Sequence, residues 1–161
     1  MGGTNINGLR LVSASTGNPW QGAEVVLQNS KIKLTTDKTV KIDVYATQAF
    51  NMLAKVELGG TAPNSATAQS YSTPGVWQTL TFTFNQSLDG TGIANGEYSK
   101  IVFFPNWNGN FGTPAANFTV HLDNITAEQA VALPDPTPST AAPTPPARAA
   151  ADVKSIFSNA C

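Results

Sequence analysis

Alternation of apolar and polar residues with a period of two is the pattern that most constrains how this chain folds. It is clearest where Leu80, Phe82 and Phe84 alternate with threonines at 79, 81 and 83. Because successive side chains of a β-strand point to opposite faces of a sheet, this run predicts a strand with one buried face. Similar runs occupy residues 9–14, 40–45, 52–58, 101–104 and 118–125, with turns rich in glycine and proline between them. The chain is therefore predicted to be all-β, an antiparallel two-sheet β-sandwich.

The composition changes near residue 131, which divides the chain into three predicted parts. Residues 1–130 carry the strand pattern and form the predicted sandwich. Residues 131–149 hold six prolines among Ala, Thr, Ser and Asp. Such a sequence favours an extended linker that cannot join a sheet. Residues 150–161 resemble the truncated start of a following segment, so we expect covalently linked further domains.

The charge content excludes several classes of partner. Charged residues make up 12% of the chain, against roughly 25% in average soluble domains. The net charge of −1 and the pI near 5.7 predict neither nucleic acid nor an anionic membrane as a partner. No apolar stretch approaches the ~18 residues of a membrane span. A surface of Thr, Ser, Asn and Gln is typical of extracellular β-proteins, so we expect a secreted or cell-surface location.

The acidic residues and the single histidine do not predict catalysis. A glycoside hydrolase needs two carboxyl groups about 5–9.5 Å apart. The acids before residue 130 are scattered over different predicted strands and loops, and none shows the same-face spacing that pairs two carboxylates. His121 is predicted to point away from the core, since Val120 and Leu122 on either side point into it. No catalytic residue is predicted, and enzymatic activity within this chain is not expected.

The segment from Phe103 to Gly112 predicts a ligand site. It places Trp107 and Phe111 among asparagines and glycines. A hydrophobic core favours neither the polar amides nor the flexibility of glycine. Exposed rings cover the apolar faces of sugars, and amides meet their hydroxyls in pairs. We predict Trp107 as a stacking platform extended by Phe111 and Trp20. The hydrogen-bonding amides of this predicted carbohydrate site are Asn106, Asn108 and Asn110.

Other single residues receive weaker interpretations. Trp77 enters a strand after a Pro-Gly turn, where a tryptophan usually packs over one end of the core. Trp20 suits a core lid as well as an exposed platform. Asp123 and Asn124 offer oxygens suited to calcium, so Asp123 is the one predicted metal ligand, for a structural calcium. No other cofactor is expected.

Two motifs carry a resemblance to a known class. The strand Trp77-Gln78-Thr79-Leu80-Thr81-Phe82-Thr83-Phe84 and the final Val120-His121-Leu122-Asp123-Asn124-Ile125 resemble the β-jelly-roll carbohydrate-binding modules appended to secreted bacterial glycoside hydrolases. The resemblance covers roughly residues 5 to 128. It implies a jelly roll, sugar recognition, often a structural calcium, and a structural role for Trp77. Members of that class usually begin with an earlier strand that often supplies a calcium ligand. Here only residues 1–7 stand before Gly8, which leaves open whether one sheet edge is missing.

The predicted function is a non-catalytic module that targets an attached secreted enzyme to a β-linked polysaccharide such as a β-glucan or xylan. Two alternatives stay open. In the first alternative, the sandwich is a structural spacer or a cell-surface adhesion domain, and Trp107 is expected to pack against protein. Otherwise the chain is a non-catalytic fragment of a larger glycoside hydrolase. The sequence leaves open whether the ligand lies at loop tips or along a concave sheet.

Overall fold

The computed structural model describes residues 8–130, which form ten β-strands. The predicted linker and the segment after it lie outside the described residues. The strands are β1 (Leu9–Ser13), β2 (Ala23–Val26), β3 (Ile32–Lys33), β4 (Thr39–Ala46), β5 (Phe50–Glu57), β6 (Ser65–Tyr71), β7 (Gln78–Thr83), β8 (Glu97–Tyr98), β9 (Lys100–Pro105) and β10 (Phe118–Ala127).

Eight of these strands form two four-stranded sheets, and every pairing is antiparallel. The front sheet has the order β1-β10-β4-β7, and the back sheet has the order β2-β9-β5-β6. Strands β3 and β8 pair separately. The prediction of an all-β antiparallel sandwich is confirmed. Within residues 8–130 the chain has no helix that could cross a membrane.

The core lies between the two sheets and follows from the alternation in the sequence. The front sheet contributes the fully buried Val40, Ile42 and Val44 of β4, together with the predicted inward side chains of β7 and β10. The back sheet contributes alternate residues of β5 and β9, including Met52 and Phe103. Burial of a large apolar side chain stabilises the fold by about 1.5–3 kcal/mol, so this shared interior holds the sheets face to face.

The back sheet has a second apolar layer on its outer face. Leu53 and Ala66 lie on neighbouring strands and are fully buried, although their side chains point away from the main core. The chain that follows β9 folds back over them and contributes Trp107. As a result the outer face of the back sheet is partly closed, whereas the outer face of the front sheet is open.

Candidate functional site

The structure contradicts the prediction that Trp107 is an exposed stacking platform. Its side chain is only 7% exposed and packs on Leu53 and Ala66. Phe111 lies edge-on to the indole, with ring centroids 4.9 Å apart. Phe111 is half-buried and also contacts Phe104, at 5.1 Å between centroids. These two predicted binding rings therefore cover the back sheet, and the indole is too buried to stack on a sugar.

The side-chain amides of the same loop largely form hydrogen bonds that stabilise the conformation of the loop itself. The Asn106 side chain donates to the Gly112 carbonyl at 3.0 Å. The Asn108 side-chain oxygen accepts from Asn51 at 3.2 Å. The backbone N–H of Trp107 donates to the carbonyl of Asn51 at 2.9 Å. Positive φ values at Asn106 and Gly109 (66° and 87°) turn the chain back onto the sheet. This bonding answers the sequence argument that a buried loop would leave amides unsatisfied.

Three members of the predicted site remain exposed, namely Trp20, Asn108 and Asn110. Trp20 is 60% exposed in the segment before β2. Asn110 is exposed near the tip of the loop that holds Trp107. The structure shows no contact that joins Trp20 to the buried indole, so the predicted platform is not assembled. A binding role for Trp20, Asn108 and Asn110 stays a prediction.

The open face of the front sheet carries a row of side chains that the sequence reasoning missed. Arg10 of β1 lies opposite His121 of β10, and His121 lies opposite Tyr45 of β4. The Tyr45 and His121 rings have centroids 6.0 Å apart. On the other side, the Trp77 ring lies 5.6 Å from Tyr45. The row therefore crosses β1, β10 and β4 and ends at Trp77, the residue that precedes β7, with its aromatic members side by side.

Trp77 belongs to this row and not to the core, which corrects its expected position over one end of the interior. It is half-buried against Tyr45, whose neighbours Val44 and Ala46 are the ones that point inward. The buried Tyr71 hydroxyl stabilises the turn before Trp77. That hydroxyl lies 2.6–3.0 Å from the carbonyl oxygens of Ala46, Thr73 and Val76.

A depression of about 480 Å³ runs along the β1, β10 and β4 end of the row. We call it the front groove. Its nine lining residues include Arg10, Tyr45, Gln48, Asn117 and His121. The volume lies within the range of about 300–1,000 Å³ typical of ligand sites. Aromatic rings beside amides and hydroxyls are thus present in this protein, on a different surface from the one predicted.

The structure also brings two carboxylates together, which the sequence reasoning did not foresee. Asp43 and Asp123 are directly opposite one another on β4 and β10, beside the aromatic row. Asp43 accepts hydrogen bonds from the Thr79 hydroxyl and the Asn124 side chain. These two donors, the Thr79 hydroxyl first, lower the pKa of Asp43. A lowered pKa favours the ionised carboxylate, which makes Asp43 a poor general acid for glycoside hydrolysis.

The predicted calcium ligand is part of the same cluster. Asp123 accepts from the backbone N–H of Asn124 at 2.8 Å, at an irregularity in β10 where Asn124 has φ = 50°. Calcium takes six to eight oxygen ligands. Among residues 8–130 no group of three or more His, Cys, Asp or Glu is placed to hold a metal ion. The acidic side chains present do not form a calcium site by themselves, and calcium binding by Asp123 stays a prediction.

Comparison with solved structures finds three chains that are similar to this one. No family model matches the chain, and no curated protein matches it. Among solved structures, one described as "CBM4 structure and function" is similar, with 17% sequence identity and a TM-score of 0.44. The similarity covers 80% of this chain and 87% of the other. At this identity and TM-score it assigns no ligand to this chain.

Proposed function

We propose that this chain is a non-catalytic polysaccharide-binding module whose ligand lies across the open face of the front sheet. The row that contains Tyr45, Trp77 and His121 is the observation that carries the proposal. Four adjacent strands spaced about 4.8 Å apart make this row roughly 14 Å long. A polysaccharide chain that runs across the strands would meet the aromatic rings in succession. Secretion, and attachment to an enzyme through residues 131–149, complete the proposal.

The chemistry of the row suits a neutral, hydroxyl-rich ligand. Tyr45 and Trp77 present ring surface for the apolar faces of pyranoses. Gln48, Asn117 and Thr119 supply paired donors and acceptors in the front groove. A few such contacts would give dissociation constants of about 1 μM to 1 mM. Affinity of that order is useful in a tethered module, because a linker raises the effective concentration of the ligand.

A structural spacer or adhesion domain is the second candidate, and one observation favours it. That hypothesis predicts that Trp107 packs against protein, as it does. It does not account for the half-buried aromatic row on the face that no loop covers. The third candidate, a hydrolase fragment, gains no general acid from Asp43, whose two hydrogen-bond donors favour the ionised carboxylate.

Affinity gel electrophoresis against β-glucans, xylan and mannan tests the proposal. The wild type should be retarded by at least one of these polymers. Tyr45→Ala and Trp77→Ala should each weaken the retardation at least about fivefold, since a central aromatic contact contributes more than ~1 kcal/mol. Thr81→Ala is the matched control, because Thr81 is exposed on the same sheet but lies outside the row. A wild type with unaltered mobility in every gel would support the spacer instead.

A further inference from the structure

Arg10 gives the front groove a positive charge that no acidic side chain of residues 8–130 balances. Within residues 8–130, the ion pairs involve Lys33, Lys55 and Lys100 but not Arg10. The only polar side-chain contact of its guanidinium there is a long one, 3.5 Å to the Thr119 hydroxyl. None of the nine residues that line the groove is acidic. The guanidinium is therefore free to bind an anion.

His121 adds a second donor beside Arg10. Its Nδ1 atom is buried and has no hydrogen-bond partner in the described part of the chain. A buried N–H without an acceptor is costly, so the proton of the neutral ring belongs on Nε2. That nitrogen is not among the buried, unpartnered atoms of residues 8–130, and the ring lines the groove. His121 can therefore donate to a ligand through Nε2–H.

Asn117 extends this donor-rich surface. Its side-chain oxygen accepts from the backbone N–H of Ser15 at 2.7 Å and from the Ser15 hydroxyl at 3.1 Å. Because this oxygen already accepts two hydrogen bonds, the group that Asn117 can offer to a ligand is mainly its NH₂ donor. Arg10, His121 and Asn117 all line the same depression.

The acids nearest to the groove already have partners. Asp43 and Asp123 lie one row away on the same face. Asp43 accepts from Thr79 and Asn124, and Asp123 accepts from the backbone of Asn124. These bonds partly satisfy both carboxylates, and neither one pairs with Arg10. An incoming anion therefore meets the guanidinium without displacing an existing ion pair.

We propose that the front groove prefers β-linked glycans that carry uronic acid, with Arg10 and His121 binding the sugar carboxylate. This inference rests on the proposed function and narrows it to a ligand class. Uronic acid occurs as a side group on a neutral backbone, as in glucuronoxylan, or as the backbone unit of a polyuronide. The Arg10 guanidinium can meet either carboxylate through two parallel N–H bonds.

Isothermal titration calorimetry with carboxyl-reduced ligands tests this preference. Glucuronoxylan and a β-linked polyuronide are each titrated before and after their carboxylates are reduced to alcohols. Reduction should weaken binding at least about tenfold for the preferred polymer, because charge-assisted hydrogen bonds are lost. The preference should shrink near 1 M salt, where screening acts over about 3 Å. Comparison of the two polymers shows which source of uronic acid the groove accepts.

Matched variants connect the preference to the groove. Arg10→Gln should lower the ratio of the affinities for the acidic and the reduced polymer by at least about tenfold. Lys41→Gln removes the same charge from an exposed position two rows away on the same face, and it should change neither affinity. If Arg10→Gln does not fold, His121→Phe serves as the second variant. It keeps a ring in the aromatic row but loses the Nε2–H donor, so the ratio of the affinities for the acidic and the reduced polymer should fall.

The outcomes separate the inference from the proposed function. Equal affinity of the wild type for the acidic and reduced polymers would overturn the preference for uronic acid while leaving glycan binding intact. An equal loss of affinity for both forms in Arg10→Gln would overturn it also, because the guanidinium would then not distinguish the carboxylate from the alcohol. No binding of either form, together with no binding of neutral glycans, would remove the inference and the proposed function together.

Discussion

Replacement of Trp107 by alanine should destabilise the fold rather than abolish a binding platform. The indole is 7% exposed and fills the space above Leu53 and Ala66. Truncation of a buried tryptophan costs about 3–5 kcal/mol. The edge-on contact with Phe111 adds to what is lost, while the position at the protein surface favours partial collapse. We therefore expect a loss of about 3 kcal/mol at the low end of that range.

Thermal unfolding followed by near-ultraviolet circular dichroism measures this loss. A domain of about 120 residues has an unfolding entropy near 0.25 kcal/mol/K, so 3 kcal/mol lowers the melting temperature by roughly 12 °C. Trp20→Ala is the control, because Trp20 is 60% exposed and most such substitutions change stability by less than about 0.5 kcal/mol. Glycan binding by Trp107→Ala should persist below its melting temperature. An unchanged melting temperature with lost binding would refute the burial argument.

Three further substitutions test parts of the structure that hold the site. Tyr71→Phe should lower the free energy of unfolding by about 1–2 kcal/mol in urea titrations and weaken glycan binding, because the turn before Trp77 loses its buried hydroxyl; wild-type behaviour would contradict this. Asp43→Asn should flatten the pH profile of stability on the acid side. The lowered pKa of Asp43 in the fold contributes stability above its unfolded value of about 3.9, and this is lost as pH falls through the folded value; parallel profiles would contradict it. Gly22→Ala should lower the urea midpoint, because a Cβ atom would lie 2.7 Å from the Phe104 ring; an unchanged midpoint would show that the ring moves away freely.

The strand pattern could be predicted because burial on one face leaves a direct record in the sequence. Leu80 and Phe82 point inward, as their alternation with threonine indicates. The outward direction of His121 between two buried neighbours was predicted in the same way and is confirmed. Each of these inferences needs only the period of the strand and the presence of one core.

The loop after β9 could not be placed from the same pattern, because its course depends on contacts with residues distant in sequence. Trp107 is held by the Asn51 carbonyl, and two residues of positive φ reverse the chain. One signal for its burial was present: Met52, Leu53 and Ala54 are apolar in succession, which predicts that β5 is covered on both faces. The structure shows that cover, and the indole provides it.

The row on the front sheet escaped the sequence reasoning for a different reason. Arg10, Tyr45 and His121 come from three strands that are far apart in the chain, and only the pairing of β1, β10 and β4 aligns them. Each alone is an ordinary outward residue of an alternating strand. The outward tyrosine at 45, on the same face as Lys41 and Asp43, was the available hint.

A two-dimensional ¹H–¹⁵N spectrum of the labelled protein, recorded while a retarding glycan is added, tests the open-face site most directly. The backbone amides of Arg10, Tyr45 and His121 should shift progressively with ligand concentration, together with the indole N–H of Trp77. The amides from Asn106 to Gly112 should stay in place. Shifts confined to that loop, with unchanged resonances in the front sheet, would contradict the open-face site. They would place the ligand at the loop over the back sheet instead.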